Sequence, residues 1–273
     1  MTLRIDRETR LCLSISARPS NFGTRFHNYL YEELGLNYVY KAFAITDLAG
    51  AVAGIRAFGI RGAGVSMPFK EAVIAFADEL RPSAAAIGAV NTLVNDGGRL
   101  TAHNTDYIAV ARLVVDHGVP PATPVVLRGS GGMAKAVAAA LCDAGFRSGT
   151  VVARNEDAGR ALAARCGWEW SPTLAPKPGE AMLVNVTPIG MAGGPDADEL
   201  AFPAEAIGTA TVVFDVVALP SETPMIRVAR SLGRPVITGA EVIALQAVEQ
   251  FELYTGRRPA ADQIARAAAF ARA

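Results

Sequence analysis

The sequence predicts an α/β protein of two units, the second a doubly wound parallel sheet, and three observations lead there. Past a loop at 118–124 that holds three prolines, apolar runs of strand length alternate with helical patterns, which implies parallel βαβ units. Within that stretch, Val125-Val126-Leu127-Arg128-Gly129-Ser130-Gly131-Gly132-Met133-Ala134 reads as strand, glycine turn and helix, the context of a dinucleotide-binding glycine motif. Finally, 273 residues, 51% of them hydrophobic, are better divided between two cores than packed into one.

Taken in order, residues 10–16 alternate Leu11, Leu13 and Ile15 with smaller or polar residues and predict an opening strand. A helix over 26–34 stops at Gly35, a strand follows at 38–43, and Asp47 caps a helix over 48–58. A short strand at 62–66 leads to Met67-Pro68-Phe69-Lys70-Glu71, where proline near the start predicts another helix. A helix over 82–89 precedes a hairpin, 92–95 and 100–103, turning at Asp96-Gly97-Gly98, and a helix over 107–117 runs to the proline loop. Beyond it come strands at 125–127, 150–153, 182–185, 212–217 and 236–237, with helices over 133–144, 157–166 and 223–232. Two more helices, over 241–254 and 260–271, close the chain. Folding back on the first unit, they make that unit discontinuous, residues 1–106 with 240–273, around a second unit of 107–239.

Lys+Arg and Asp+Glu balance at 26 each, which leaves no electrostatic footprint for nucleic acid or an anionic membrane and favours a small-molecule partner. The charged N-terminus, Met1 to Glu8, lacks the apolar centre of a signal peptide, and no apolar run reaches transmembrane length, so a cytoplasmic protein is expected. Cys12, Cys142 and Cys166 are odd in number and without C-x-x-C spacing, suggesting reduced thiols and neither a disulfide framework nor a metal site. The sequence carries no signature of an oligomeric state.

Glycine lets the backbone turn with positive φ and lets a diphosphate approach closely, while the free N–H groups of the following helix attract negative charge. A bland glycine turn is the competing reading, and the residue just past the next strand weighs against it. About 20 residues past such a motif an acidic residue usually holds the ribose of NAD. Here Arg154, followed by Asn155, stands at that point, and a guanidinium suits the 2′-phosphate of NADP. Lys70 and Asp106 are candidates for proton transfer if folding pairs them, since an ion pair and partial desolvation tune a lysine toward a useful pKa. On spacing alone a surface lysine and a helix cap describe them as well.

Six blocks in order, Ser66-Met67-Pro68-Phe69-Lys70, Gly88-Ala89-Val90-Asn91-Thr92, Asn104-Thr105-Asp106, Gly129-Ser130-Gly131-Gly132, Asn185-Val186-Thr187-Pro188-Ile189-Gly190-Met191 and Gly239 to Gln246, resemble the signature blocks of shikimate dehydrogenases over nearly the whole chain. The resemblance is to the shikimate dehydrogenase-like branch of that family. It implies an N-terminal α/β substrate domain and an NADP-binding Rossmann domain across a cleft, with C-terminal helices returning to the first domain. The implied reaction is the NADPH-dependent reduction of 3-dehydroshikimate to shikimate, a step toward aromatic amino acids. Lys70 matches the catalytic lysine and Asp106 its acidic partner. Asn21, Ser66, Asn91, Thr105 and Gln246 match substrate contacts. Gly129, Ser130, Gly131, Gly132, Met133, Ala134, Arg154 and Asn155 match the cofactor loop and its ribose end, while Thr187, Met191, Val216 and Gly239 fall near the cofactor or its nicotinamide.

The departures are as specific. Counting back from His27-Asn28, the family's paired serines that hold the substrate carboxylate fall on Asn21 and Gly23. Ala218 stands where a tyrosine is usual, and Gly64 where an asparagine precedes Val65-Ser66. Losing one hydrogen bond to a charged group costs about 1.5–3 kcal/mol, one to two decades in binding or rate. The pattern is one of retained redox chemistry with altered recognition. The competing readings are a dehydrogenase for quinate or another ring alcohol, and an NADP-binding regulatory protein with vestigial activity.

Overall fold

The computed structural model describes residues 5–174 and 179–272. In chain order its elements are β1 (Arg10–Ser16), α1 (Phe22–Glu33), β2 (Tyr38–Ala44), α2 (Leu48–Ala57), β3 (Gly62–Val65), a 3₁₀ turn (Ala72–Phe76), β4 (Glu79–Leu80), α3 (Pro82–Ala85), β5 (Thr92–Asp96), β6 (Arg99–His103) and α4 (Thr105–Asp116). Then follow β7 (Val125–Arg128), α5 (Gly132–Asp143), β8 (Gly149–Val152), α6 (Glu156–Cys166), β9 (Glu169–Ser171), β10 (Met182–Asn185), α7 (Ala204–Thr209), β11 (Val212–Asp215), α8 (Pro224–Ser231), β12 (Val236–Thr238), α9 (Gly239–Thr255) and α10 (Ala261–Arg272). Two compact units result, one from the described residues up to Thr105 together with those from Ala244 onward, the other from Asp106 to Ile243.

The first unit is a six-stranded mixed sheet in the order β2-β1-β3-β5-β6-β4, with β1 parallel to β2 and β3, and β5 antiparallel to β3 and β6. Alternation along β1 decides which core each side chain enters. Cys12 joins a cluster with Phe26, Leu30 and Tyr31 of α1, Val248, Phe251 and Tyr254 of α9, and Ala267 and Ala268 of α10. Leu13 and Ile15, on the other face, pack with Val52 and Ile55 of α2 and with Ala63, Val65 and Leu93. A lone sheet face of this size needs such a cover.

The second unit is a parallel sheet in the order β12-β11-β10-β7-β8-β9. Its central strands read Met-Leu-Val-Asn and Val-Val-Phe-Asp, buried at every position, as strands covered on both faces must be. The strand order reverses direction between β7 and β10, where the loops that leave them diverge and open a crevice at their carboxyl ends.

Several elements differ from the sequence reading. The helix expected from Met67 is a turn through a cis Met67–Pro68 peptide followed by the short 3₁₀ segment, and α3 covers four residues rather than eight. β4, β9 and α7 are too short, at two, three and six residues, to leave a periodic pattern. The thiols expected to be separate and reduced are not: Cys142 and Cys166 form a disulfide with Cα atoms 5.7 Å apart, because the ends of α5 and α6 converge, which a spacing of 24 residues does not announce. Cys12 is free and buried, and burial pushes its thiol up to about 12. Among the described residues, no helix is long and apolar enough to cross a membrane, and no cluster of acidic, histidine or cysteine side chains could hold a metal ion.

Candidate functional site

In the second unit the glycine turn leaves β7 at Gly129, whose φ of +125° is closed to other residues without strain. A Cβ there would stand 2.9 Å from Val186 Cγ2 and 3.1 Å from Val186 O, so the loop after β10 also demands glycine. Gly131 and Gly132 have nothing within 4 Å of an added Cβ, which leaves open space in front of the first turn of α5. Gly131 is the N-cap of that helix, without a side chain to satisfy it. Gly132, Met133 and Ala134 form the first turn, whose N–H groups lack helical acceptors. Ala134 is fully buried and does not line the cavity described next.

A cavity of about 1200 Å³ lies against this turn. Gly129, Ser130 and Gly131 line it, with Arg154 and Asn155 from the end of β8 and Thr187 from the loop after β10. Arg154 is exposed, and Asn155 caps α6 by accepting from Ala158 N at 3.0 Å. The bare glycine cradle, the helix N-terminus and the guanidinium are the groups a dinucleotide with an added phosphate needs. The residues present therefore fit NADP.

Of the predicted cofactor residues, Gly132, Met133, Ala134, Met191, Val216 and Gly239 stand outside the lining of that cavity. Met191 is 42% exposed. Val216 N donates to Asn185 O at 3.1 Å, and Gly239 begins α9. An added Cβ at Gly239 would lie 2.4 Å from both Val216 O and Val217 O, so only glycine permits this approach of helix to loop. Thr238 and Glu241 form a capping box there: Thr238 N and Oγ1 each donate to Glu241 Oε2 at 2.7 Å, and Glu241 N donates to Thr238 Oγ1 at 3.3 Å.

Asp215, with Asn185, orders the loops and was missed in the sequence reading. Its carboxylate is fully buried and accepts from Asn185 Nδ2 at 3.0 Å, Thr223 Oγ1 at 2.7 Å and Val217 N at 3.1 Å. Burial pushes its pKa up while these donors hold it down. Asn185 Oδ1 in turn accepts from Thr187 N at 3.0 Å and Thr187 Oγ1 at 2.6 Å. A carboxylate closing the run Val-Val-Phe-Asp was the available signal.

In the first unit, Asn91, Thr105 and Gln246 come together. Asn91 Oδ1 accepts from Thr105 N at 2.8 Å and from Thr92 Oγ1 at 2.8 Å, and Thr105 Oγ1 lies 3.1 Å from Asn91 Oδ1 and 3.3 Å from Gln246 Oε1. Gln250, one turn beyond Gln246, donates to Thr92 Oγ1 at 3.0 Å and to Asn91 O at 3.3 Å. It too was missed, although its i+4 spacing from Gln246 marks one helix face. Lys70 follows β3 in the chain and is half-buried, its carbonyl accepting from Val90 N at 2.8 Å. Ser66 is exposed, with its N–H on Ile15 O at 3.0 Å. Asp106 is the second residue of α4, so it is not the cap that spacing allowed.

Asn21 is the N-cap of α1, but its side chain makes no capping bond and is exposed. Gly23 and Gly64 both face Tyr40: an added Cβ would meet the Tyr40 hydroxyl at 3.4 Å from position 23 and at 3.0 Å from position 64. Tyr40 cannot withdraw easily. Asn28 clamps its backbone, Nδ2 donating to Tyr40 O and Oδ1 accepting from Tyr40 N, both at 2.8 Å, and the His27 ring stacks on it at 4.4 Å. An asparagine at 64 would need that phenol to move.

A parallel sheet with a glycine cradle at its switch point, an arginine past the end of the neighbouring strand and a second α/β unit defines a dinucleotide-binding oxidoreductase of the dehydrogenase type. The chain belongs to the shikimate dehydrogenase family, on its shikimate dehydrogenase-like branch. The shikimate dehydrogenase substrate binding domain matches residues 21–93. A shikimate dehydrogenase-like protein of Haemophilus influenzae is 54% identical, the match covering 98% of each chain. The shikimate dehydrogenase (NADP(+)) of Symbiobacterium thermophilum is 36% identical over 89% of this chain and 87% of its own. Among solved structures, a shikimate 5-dehydrogenase-like protein superposes with a TM-score of 0.96 at 54% identity, covering 99% of this chain and 100% of its own. Shikimate 5-dehydrogenase from Thermus thermophilus, in complex with NADP(H) and shikimate, gives 0.86 at 30% identity over 96% and 99%. Quinate dehydrogenase from Corynebacterium glutamicum, in complex with NAD, gives 0.85 at 27% over 96% and 98%.

Proposed function

We propose that the chain is an NADP-dependent dehydrogenase that interconverts shikimate, or a closely related cyclic hydroxy acid, and its 3-dehydro form, with recognition altered on the carboxylate side. The observation that carries this reading is the joint presence, in a chain of this family, of a cavity fitted to NADP and the polar cluster Asn91, Thr105 and Gln246. Bound NADP supplies the hydride acceptor or donor. Lys70 moves the hydroxyl proton or stabilises the oxyanion, Asp106 positions Lys70, and the amides of Asn91 and Gln246 with Ser66 and Thr105 hold ring hydroxyls. Asn21 offers an uncommitted amide where a carboxylate contact is expected, and Gly23 offers nothing. Those two positions, with Gly64 and Ala218, favour a second reading in which quinate or another ring alcohol is the better substrate.

Purified protein with NADP+ or NAD+ and a panel of shikimate, quinate and related hydroxy acids, followed by nicotinamide absorbance, tests both. Turnover with NADP+ and one of these acids is expected. Tight NADP+ binding with no turnover on any of them would favour a regulatory binding protein instead. Lys70→Ala should abolish turnover and leave NADP+ affinity within about twofold, by analogy with the 10²–10⁴-fold typical of general acid–base groups. Undiminished turnover would remove Lys70 from the mechanism.

A further inference from the structure

A second arginine faces the NADP cavity, and neither the glycine motif nor the strand that carries it requires one. Arg128 is the last residue of β7, its Cα in register with Val152 of β8, two residues before Arg154. Both arginines line the same cavity. Val126, two residues earlier on the same face, packs against the apolar cluster of Leu183, Ala201 and Phe202, so an aliphatic side chain would suit position 128. Instead a half-buried guanidinium stands there.

No carboxylate among the described residues pairs with it directly. One Nη donates to the carbonyl of Ala201, which fixes the fork without cancelling its charge, and no carboxylate lies within ion-pair distance of Arg128 among the described residues. Asp196 and Glu199 reach the same cavity, and Arg154 opposes them with a second positive charge. Burial, and then Arg154, push the Arg128 pKa down, whereas Asp196 pushes it up. Two arginines on one cavity lining, with donors left over on each, can hold a multiply charged anion between them, beside the carboxylates of Asp196 and Glu199.

We propose that Arg128 and Arg154 together bind the 2′-phosphate of NADP, so that selectivity against NAD rests on an arginine of the sheet as well as on the one in the loop. This rests on the reading of the cavity as an NADP site. Arg154 stands at the ribose end, and Arg128 reaches it from the neighbouring strand, tethered by Ala201 O. A phosphate between them removes their mutual repulsion, and NAD leaves it in place.

The test is titration calorimetry of NADP+, NAD+, 2′,5′-ADP and 5′-AMP against wild type, Arg128→Met and Arg128→Lys. Arg128→Met keeps length and apolar volume, and Arg128→Lys keeps the charge, so at least one preserves the fold, as circular dichroism will report. We expect wild type to prefer NADP+, and Arg128→Met to weaken NADP+ and 2′,5′-ADP about 10- to 100-fold while changing NAD+ and 5′-AMP less than about threefold, with partial recovery in Arg128→Lys. Equal weakening of NADP+ and NAD+ would move Arg128 to the diphosphate and overturn the proposal, as would no weakening at all. Wild type that binds neither dinucleotide would instead overturn the NADP reading, and the pair with it.

Discussion

His27 is fully buried and stacked between Tyr40 and Phe251, with the Gln250 side chain as a polar neighbour that opposes, more weakly, the effect of burial on its ring. Burial drives its pKa down to about 3, from an ordinary value of 6.5. Between those values the unfolded chain takes up a proton that the folded chain refuses. Stability is therefore complete above about pH 6.5 and falls as the pH drops toward 3, by about 1.4 kcal/mol per pH unit at the steepest. His27→Phe keeps the stacking and removes the titration. Urea unfolding at pH 8 and pH 5 should show the variant losing less stability than wild type over that interval, and parallel losses would show that His27 does not titrate this way. The same residue scale shows why recognition was hard to read: Gly23 and Gly64 are plain losses in sequence, and only the clamped ring of Tyr40 beside both shows what confines them.

At the level of elements, long periodic segments were legible and short ones were not. The β7–α5 and β10 stretches follow from apolar runs and a glycine turn, because strands in a covered parallel sheet favour that composition. β4 and β9 owe their existence to partners in the sheet, β6 and β8, which no local pattern encodes. The site divides the same way. Backbone-determined parts, the cradle and the helix N-terminus, were visible, whereas Asp215, Gln250 and Arg128 gain meaning from neighbours distant in sequence. Gly239 belongs with them, since its need for a missing Cβ comes from the carbonyls of Val216 and Val217. Gly239→Ala should cost about 1–3 kcal/mol through forced separation of α9 from that loop, visible in chemical unfolding. A neutral result would mean that the loop yields without strain.

For the molecule as a whole, the two units differ in what holds them. The first relies on two apolar clusters on either side of its sheet, and the second adds the Cys142–Cys166 bridge between α5 and α6. A bridge closing a loop of that length stabilises by about 2–4 kcal/mol, mainly through the unfolded chain. Reduction with dithiothreitol should therefore lower the midpoint of thermal unfolding measured by calorimetry. An identical thermogram would show that the bridge contributes nothing to stability.

The reversal of strand order between β7 and β10 has a consequence for how such a protein can change. Arg128 ends β7, and Arg154 and Thr187 lie two residues past the ends of β8 and β10, around a crevice that the topology opens whatever side chains occupy it. Substitution there leaves the apolar interior untouched, so ligand preference can drift across generations while the scaffold persists. Selection can then act on the choice of ligand almost separately from the ability to fold.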